Sequence, residues 1–222
     1  MNKINNELQK YVEERIFPIY DNNDSGHGID HIMYVIGRSF KFANQFENID
    51  LNMVYVVASF HDLAHHIDKD NHEVLSANLF YLNEKMKEFF TYEQRGIIKD
   101  AIEDHRASLD HEPRSVYGKI ISSADRNVDI ISSLKRTHAY TIKHYPELDL
   151  NEMINRAYNH ISEKFGDCGY AKVWLVDEEF DKFKNDVKEL LKDKYTFGIK
   201  YMEVNNICLL YTSPSPRDIS GS

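Results

Sequence analysis

Cysteine, proline and glycine are all scarce in this chain of 222 residues. The two cysteines, Cys168 and Cys208, lack the spacing of a zinc-binding motif and are too few for a disulfide framework. The sequence has only 9 glycines and 5 prolines, which argues against a turn-rich β protein and favours long helices. We therefore expect a mostly helical fold whose two thiols are reduced and incidental.

Positive charge and long apolar runs are lacking too. Lysine and arginine number 27 against 36 acidic residues, a net charge of −9. This balance argues against a broad nucleic-acid surface, although it allows a local basic pocket for a small phosphorylated ligand. No apolar run approaches the roughly 20 residues needed to cross a bilayer. The N-terminus also lacks the apolar segment of a signal peptide, so we expect a cytoplasmic protein without membrane attachment.

Apolar residues are present in sufficient number for a sizeable core, at 42% of the chain. They recur at helical spacing, and neither strand-like alternation nor an internal repeat is evident. The pattern predicts an all-α bundle of about eight or nine helices packed around residues 54–66. It also predicts that Pro18 stops the first helix and that Asp50 begins the third. The sixth helix would run from Tyr117 to Ile131, and the last helix over residues 170–193.

The stretch from Val54 to His66 begins as an apolar helix and ends in ionisable groups. At helical spacing, His61, Asp62 and His65 continue the apolar face that should point into the core. A buried carboxylate with two imidazoles is costly unless a hydrogen-bonded partner or a metal ion compensates it. The adjacent His-Asp pair offers a neutral nitrogen and an anionic oxygen, both of which suit a divalent metal.

The same anomaly recurs along the chain. Four predicted core helices carry metal-competent residues on otherwise apolar stripes: His31, His61 with Asp62, His105, and Asp125. A single buried histidine is usually hydrogen-bonded in the core, but a buried unpaired carboxylate costs several kcal/mol. If the helices form a bundle, two histidine nitrogens and two aspartate oxygens can converge on part of an octahedral site, with positions left for water and substrate.

These residues resemble the HD-domain superfamily of metal-dependent phosphohydrolases, which takes its name from the His-Asp doublet. The resemblance covers roughly residues 25–135. It rests on the doublet, on an earlier histidine and on a later aspartate, in the segments His27-Gly-Ile-Asp-His31, Phe60-His-Asp-Leu63, Glu103-Asp-His-Arg-Ala-Ser108 and Lys119-Ile-Ile-Ser-Ser-Ala-Asp-Arg126. It implies an HD-domain-like bundle with a metal site at its centre, whose ligands are His31, His61, Asp62 and Asp125.

Some members of the superfamily hold two metals, and His72 and His105 are the candidates for the second. The resemblance therefore implies one or two divalent ions, among Mn, Mg, Co, Fe and Zn. His27 is a candidate general acid or support for a ligand, and Asp62 could share in catalysis. The role of the His65-His66 pair stays open. Candidate phosphate contacts, each of which could instead be a solvated charge or an ion pair, are Arg106, Arg114, Lys119 and Arg126.

The implied function is hydrolysis of a phosphate ester or anhydride through a metal-activated water. The substrate would be a nucleotide or a related small phosphorylated metabolite. Two alternatives stay open, a regulatory nucleotide-binding module without turnover and a di-iron oxygenase on the same fold. The oligomeric state is not determined by the sequence.

The sequence also predicts a division of the chain. Residues 1–24 would form an N-terminal helix and turn, residues 25–135 the metal-binding catalytic core, and residues 136–206 C-terminal helices packing on that core. Residues 207–222 lack periodic apolar positions and contain two prolines, so we expect a disordered or non-native tail.

Overall fold

The computed structural model describes residues 3–24 and 26–207, and no strand occurs in these residues. The predicted all-α fold class is confirmed. No helix in this part of the chain is long and apolar enough to cross a membrane. All but the first residue of the predicted tail lies outside the described residues.

Eleven α-helices occur in the described residues, more than the eight or nine expected, and one of them, Met86–Phe89, is only 4 residues long. A π-helical turn, Val12–Ile16, and a 3-10 helix, Phe17–Asn22, follow the first of them. The α-helices are α1 (Asn6–Tyr11), α2 (Ile29–Ala43), α3 (Leu51–Phe60), α4 (His72–Leu82), α5 (Met86–Phe89), α6 (Tyr92–Glu103), α7 (Val116–Ala124), α8 (Ile130–His144), α9 (Leu150–Phe165), α10 (Glu178–Leu191) and α11 (Lys194–Val204).

The starts of α3 and α6 show how side chains cap these helices. The side chain of Asp50 accepts a hydrogen bond from the Asn52 N–H at the start of α3. Thr91 and Gln94 form a reciprocal capping box at the start of α6. Such bonds satisfy backbone donors that the first helical turn leaves without a partner, so these local sequences determine where the helices begin.

The chain divides into two compact units. The first comprises residues 1–126 and 170–178, and α3 lies at its centre. Every residue from Met53 to Phe60 is buried, and α3 contacts α2, α6 and α7. The second unit comprises residues 127–169 and 179–222, where α8, α9 and α11 contact one another. The predicted assignment of residues 25–135 and 136–206 stays a prediction.

Three predicted helix boundaries are wrong. Pro18 does not stop the helical path, because it lies in the first turn of a 3-10 helix, where its missing N–H needs no partner. The sixth predicted helix ends at Ala124 instead of Ile131, since Asp129 caps a new helix by accepting the N–H groups of Ile131 and Ser132. Residues 171–177 are not helical.

The third predicted helix is also shorter than expected. It ends at Phe60, and residues 61–67 form successive turns instead of continuing to residue 66. His61, Asp62 and His65 are nevertheless buried, as the apolar face predicted. The turns place these side chains in the first unit at the end of α3.

Candidate metal centre

The six predicted metal ligands lie at the ends of helices in the first unit. His61 and Asp62 follow α3 directly, His105 follows α6 after one residue, and Asp125 follows α7 directly. His31 and His72 belong to the first turns of α2 and α4. Three helix C-termini therefore supply ligands, and the partial negative charge of a helix C-terminus favours a bound cation.

Backbone carbonyls orient three of the imidazole rings in the same way. The Nδ1 atoms of His61, His72 and His105 lie 2.9, 2.9 and 2.7 Å from the carbonyl oxygens three residues earlier, those of Ala58, Lys69 and Ile102. A carbonyl oxygen can only accept, so each Nδ1 carries the hydrogen. In the neutral ring this leaves a lone pair on Nε2, the arrangement seen in metal-bound histidines.

Asp62 joins two groups of histidines. Its Oδ1 lies 3.2 Å from His72 Nε2 and 3.3 Å from His105 Nε2. Its Oδ2 lies 3.4 Å from His61 Nε2 and 3.6 Å from His31 Nε2. The two oxygens of one carboxylate therefore face two separate pairs of nitrogens.

Asp125 belongs to the second of these groups. Its Oδ1 lies 3.1 Å from His31 Nε2 and 3.8 Å from His61 Nε2. The structure thus brings together all four residues of the primary ligand prediction. It also brings His72 and His105 to the opposite oxygen of Asp62.

The donor atoms fit divalent cations. His31 Nε2 and His61 Nε2 are buried, and neither atom has a hydrogen-bond partner among the described residues. His72 Nε2 and His105 Nε2 face each other at 3.1 Å, and two lone pairs repel at that distance unless a cation or a proton lies beside them. Ligands held at about 2.1 Å from one ion at right angles stand about 3 Å apart, close to the spacings found here.

The carboxylates of the site are ionised. Burial raises the pKa of Asp62, but its histidine neighbours outweigh burial and hold that pKa well below its usual range. Burial likewise raises the pKa of Asp125, but the nearby His31 and His61 together outweigh burial and hold that pKa well below its usual range. Burial lowers the pKa of His105, which favours the neutral, metal-binding ring. The anionic oxygens and a neutral nitrogen suit a cation.

A third group close to the centre consists of Asp24, His27 and His65, whose potential ligand atoms lie within 4.8 Å of one another. The His27 and His65 rings stack at 3.7 Å with an angle of 21° between their planes. An imidazole binds metal in its own plane, and nearly parallel planes do not meet at one ion. As placed, this group is better suited to orienting His27 than to binding a metal.

The structure also decides which member of the His65-His66 pair reaches the site. His65 is buried, and its ring lies edge-on to His72 at 5.1 Å. His66 is exposed and contacts Asn23. Sequence reasoning did not assign roles to Asp24, Asn23 or His65. The only local signal was the clustering of His65 with the doublet.

Of the four predicted phosphate contacts, Arg126 lies beside a candidate ligand, and Arg106 is adjacent to His105 in sequence but pairs with Glu73. Arg126 donates to the carbonyl oxygens of Lys172 and His105 and to Ser122 Oγ, and one of its nitrogens lies 3.7 Å from Asp125 Oδ2. Arg106 donates to the Asp70 carbonyl oxygen and contacts the Glu73 carboxylate.

The other two predicted phosphate contacts are engaged elsewhere in the described residues. Arg114 forms ion pairs with three carboxylates, those of Asp100, Glu103 and Asp104. Lys119 pairs with Glu112. These pairs match the alternative interpretation of each residue as part of a salt bridge, and the partners seen in the described residues include no candidate ligand.

Comparison with known proteins identifies a family for the segment that carries these residues. Residues 28–127 match the sequence model of the HD-domain family, and this segment contains all six candidate ligands. The chain is similar to the crystal structure of a predicted HD superfamily hydrolase from an uncultured Thermotogales bacterium, with 20% identity, 89% of this chain and 88% of that chain covered, and a TM-score of 0.48. The curated proteins gave no match. The resemblance found in the sequence is confirmed, and the segment that carries the candidate ligands is an HD domain.

Proposed function

We propose that the chain is a metal-dependent phosphohydrolase that cleaves a phosphate ester or anhydride of a nucleotide or a related small metabolite. The observation that carries the proposal is Asp62, whose two oxygens face two pairs of histidine nitrogens. Membership of residues 28–127 in the HD-domain family supports the same class of hydrolase. The nucleotide substrate and a cytoplasmic location are parts of this proposal.

The residues divide into two ligand sets that share Asp62. His31, His61 and Asp125 complete one set, and His72 and His105 complete the other. Divalent ions bound there would supply an activated water and neutralise the charge of the phosphate. The mixture of imidazole and carboxylate ligands is compatible with Mn, Co, Fe or Zn, and less typical of Mg.

The protein itself supplies a fixed frame for these ligands. The carbonyl contacts to Nδ1 hold the rings of His61, His72 and His105, so their Nε2 atoms stay aimed inward. Arg126 is held by two carbonyl oxygens and a hydroxyl, which keeps a buried positive charge next to Asp125. A site positioned in advance in this way loses little free energy to reorganisation during the reaction.

The test is a phosphate-release screen over nucleoside mono-, di- and triphosphates and cyclic nucleotides, with Mn²⁺, Mg²⁺, Co²⁺, Fe²⁺ or Zn²⁺ added to the chelator-treated protein. We expect turnover that depends on the metal and is lost in Asp62→Ala. Tight nucleotide binding without turnover would support the regulatory alternative. Two bound irons with substrate-dependent oxygen consumption and no phosphate release would support the oxygenase. Either result would overturn the proposal.

A further inference from the structure

The change from helix to turn at the end of α3 removes the usual partner of one backbone carbonyl. The Leu63 N–H donates to the Phe60 carbonyl, three residues back, at 3.1 Å. In a continued α-helix it would donate to the Ser59 carbonyl, four residues back. The Tyr20 hydroxyl donates to the Ser59 carbonyl at 2.9 Å, and both residues are buried. Tyr20 therefore supplies the donor that the turn takes away.

A second residue before α2, Asn23, is bonded to the turn itself. Its Nδ2 group donates to the carbonyl oxygens of Asp62 and His27, at 3.0 and 2.9 Å. Its Oδ1 accepts the N–H of His66 at 2.9 Å and lies 3.0 Å from His66 Nδ1, which carries the hydrogen because an amide oxygen only accepts. An amide side chain has two donor hydrogens and two acceptor positions, and all four are engaged here.

These bonds act on the backbone of a candidate ligand. The Asp62 carbonyl also accepts the N–H of His65, at 3.1 Å, so the turn is bonded internally and to Asn23. The Asp62 side chain has only two rotatable bonds, so the position of its carboxylate follows that of its backbone. Its oxygens lie 3.2 to 3.6 Å from four histidine nitrogens. Functional sites tolerate a misplacement of only about 0.5 Å, so a shift of the turn would disturb both ligand sets.

We propose that Asn23 and Tyr20 are positioning residues for the metal centre, which hold the turn after α3 so that the two oxygens of Asp62 stay directed at the two pairs of histidines. This inference rests on the proposed function, of which the metal centre is a part. Neither residue belongs to the two ligand sets.

The test compares Asn23→Ala and Tyr20→Phe with the wild type. The full-length, chelator-treated proteins are titrated with Co²⁺, because the visible absorption of bound Co²⁺ depends on its ligands and their geometry. The matched control is Asn83→Ala. The Asn83 side chain is likewise engaged at both ends, by the Tyr11 hydroxyl and the Lys85 N–H, and it follows a helix of the same unit.

We expect Asn23→Ala to raise the dissociation constant for Co²⁺ by about 10- to 100-fold, the usual effect of removing a group that supports a metal ligand, and to change the visible spectrum. Tyr20→Phe should change both in the same direction by a smaller factor, since it loses one hydrogen bond. Asn83→Ala should keep the wild-type dissociation constant and spectrum, although its urea midpoint without metal should fall about as far as that of Asn23→Ala.

A wild-type dissociation constant and spectrum in Asn23→Ala would overturn the inference. An equal change in Asn83→Ala would overturn it too, because a general loss of stability would then explain the effect. If Asn23→Ala does not fold, the same two measurements on Tyr20→Phe decide.

Failure of the proposed function is seen separately. A wild type that binds Co²⁺ but releases no phosphate from any nucleotide would refute the hydrolase, while the Co²⁺ titrations still decide whether Asn23 and Tyr20 position the turn. A wild type that binds no Co²⁺ would refute both.

Discussion

Asp62 is a buried carboxylate with four imidazole nitrogens within 3.6 Å of its two oxygens. We expect Asp62→Ala to remove the bound metal and abolish hydrolysis, because both ligand sets lose their shared oxygen ligand. The protein should remain folded, since the buried charge disappears together with the cation that it balanced. Metal analysis and circular dichroism of Asp62→Ala check the two parts of this prediction.

The conservative variant refines the test of Asp62. Asp62→Asn keeps the shape of the side chain but offers only a neutral oxygen, so metal should bind more weakly without being lost completely. An Asp62→Ala protein with full metal occupancy and unchanged turnover would exclude this site and the hydrolase with it.

Substitution of His105 tests whether the second ligand set, His72 and His105 with Asp62, binds an ion. Its Nε2 lies 3.3 Å from Asp62 Oδ1 and 3.1 Å from His72 Nε2. We expect about two ions per chain in the wild type and about one in His105→Ala, because His31, His61 and Asp125 are unchanged. The measurement is metal analysis after gentle purification. An unchanged count in His105→Ala would remove His105 from the ligands.

His61 makes metal binding dependent on pH. Burial lowers its pKa, but Asp62 and Asp125 outweigh burial and raise the pKa to about 9 in the metal-free protein. Below that pH the ring is protonated, and a metal must displace the proton before it binds. Affinity should therefore rise with pH, by up to about tenfold per unit for one proton, until it levels off near pH 9. Titration calorimetry in buffers of different ionisation enthalpy should detect the released proton, and buffer-independent heats would contradict this.

Among the elements, the segment of residues 170–178 contacts the helices of the first unit through specific polar bonds. The Trp174 N–H donates to Ser123 Oγ at 3.0 Å, next to the end of α7. Asp177 forms a buried ion pair with Arg38 of α2. The segment is therefore held to both α2 and α7, although it lies far from them in sequence.

Removing one partner of this buried pair should destabilise the first unit. Asp177→Ala leaves the buried Arg38 guanidinium without this carboxylate, and such changes cost about 3–5 kcal/mol in unfolding free energy. Urea unfolding followed through Trp174 fluorescence measures the loss. The control is Glu84→Ala, whose pair with Lys87 is exposed and should contribute little. Equal midpoints for the two variants would contradict the prediction.

For the molecule as a whole, bound metal should add to stability. An ion that binds only the folded chain stabilises it by about 2.7 kcal/mol at 100 times its dissociation constant. Chelation should therefore lower Tm, and added Mn²⁺ should restore it. Differential scanning calorimetry with and without the ion measures both effects. Asp62→Ala is the control, because its Tm should not change on chelation or on addition of Mn²⁺. A wild-type Tm that does not change on chelation would contradict the prediction.

The sequence was sufficient to predict the all-α class and most of the helices, because apolar periodicity and capping residues are local features. It also predicted His31, His61, Asp62 and Asp125 as a set, through the resemblance to the HD-domain superfamily that the His-Asp doublet on an apolar stripe first indicated. Helix ends were less predictable. Continuous periodicity ran past Phe60 and Ala124, where the structure shows turns.

Tertiary structure alone decided how the ligand atoms are shared. Asp62 faces His72 with one oxygen and His31 with the other, and residues so far apart in sequence come within 4 Å only through helix packing. The same packing brought His65 against His27 and placed Arg114 among three carboxylates. Helical spacing indicates which face of a helix a side chain lies on. Distances between donor atoms depend on the positions of several helices at once, and no local pattern encodes them.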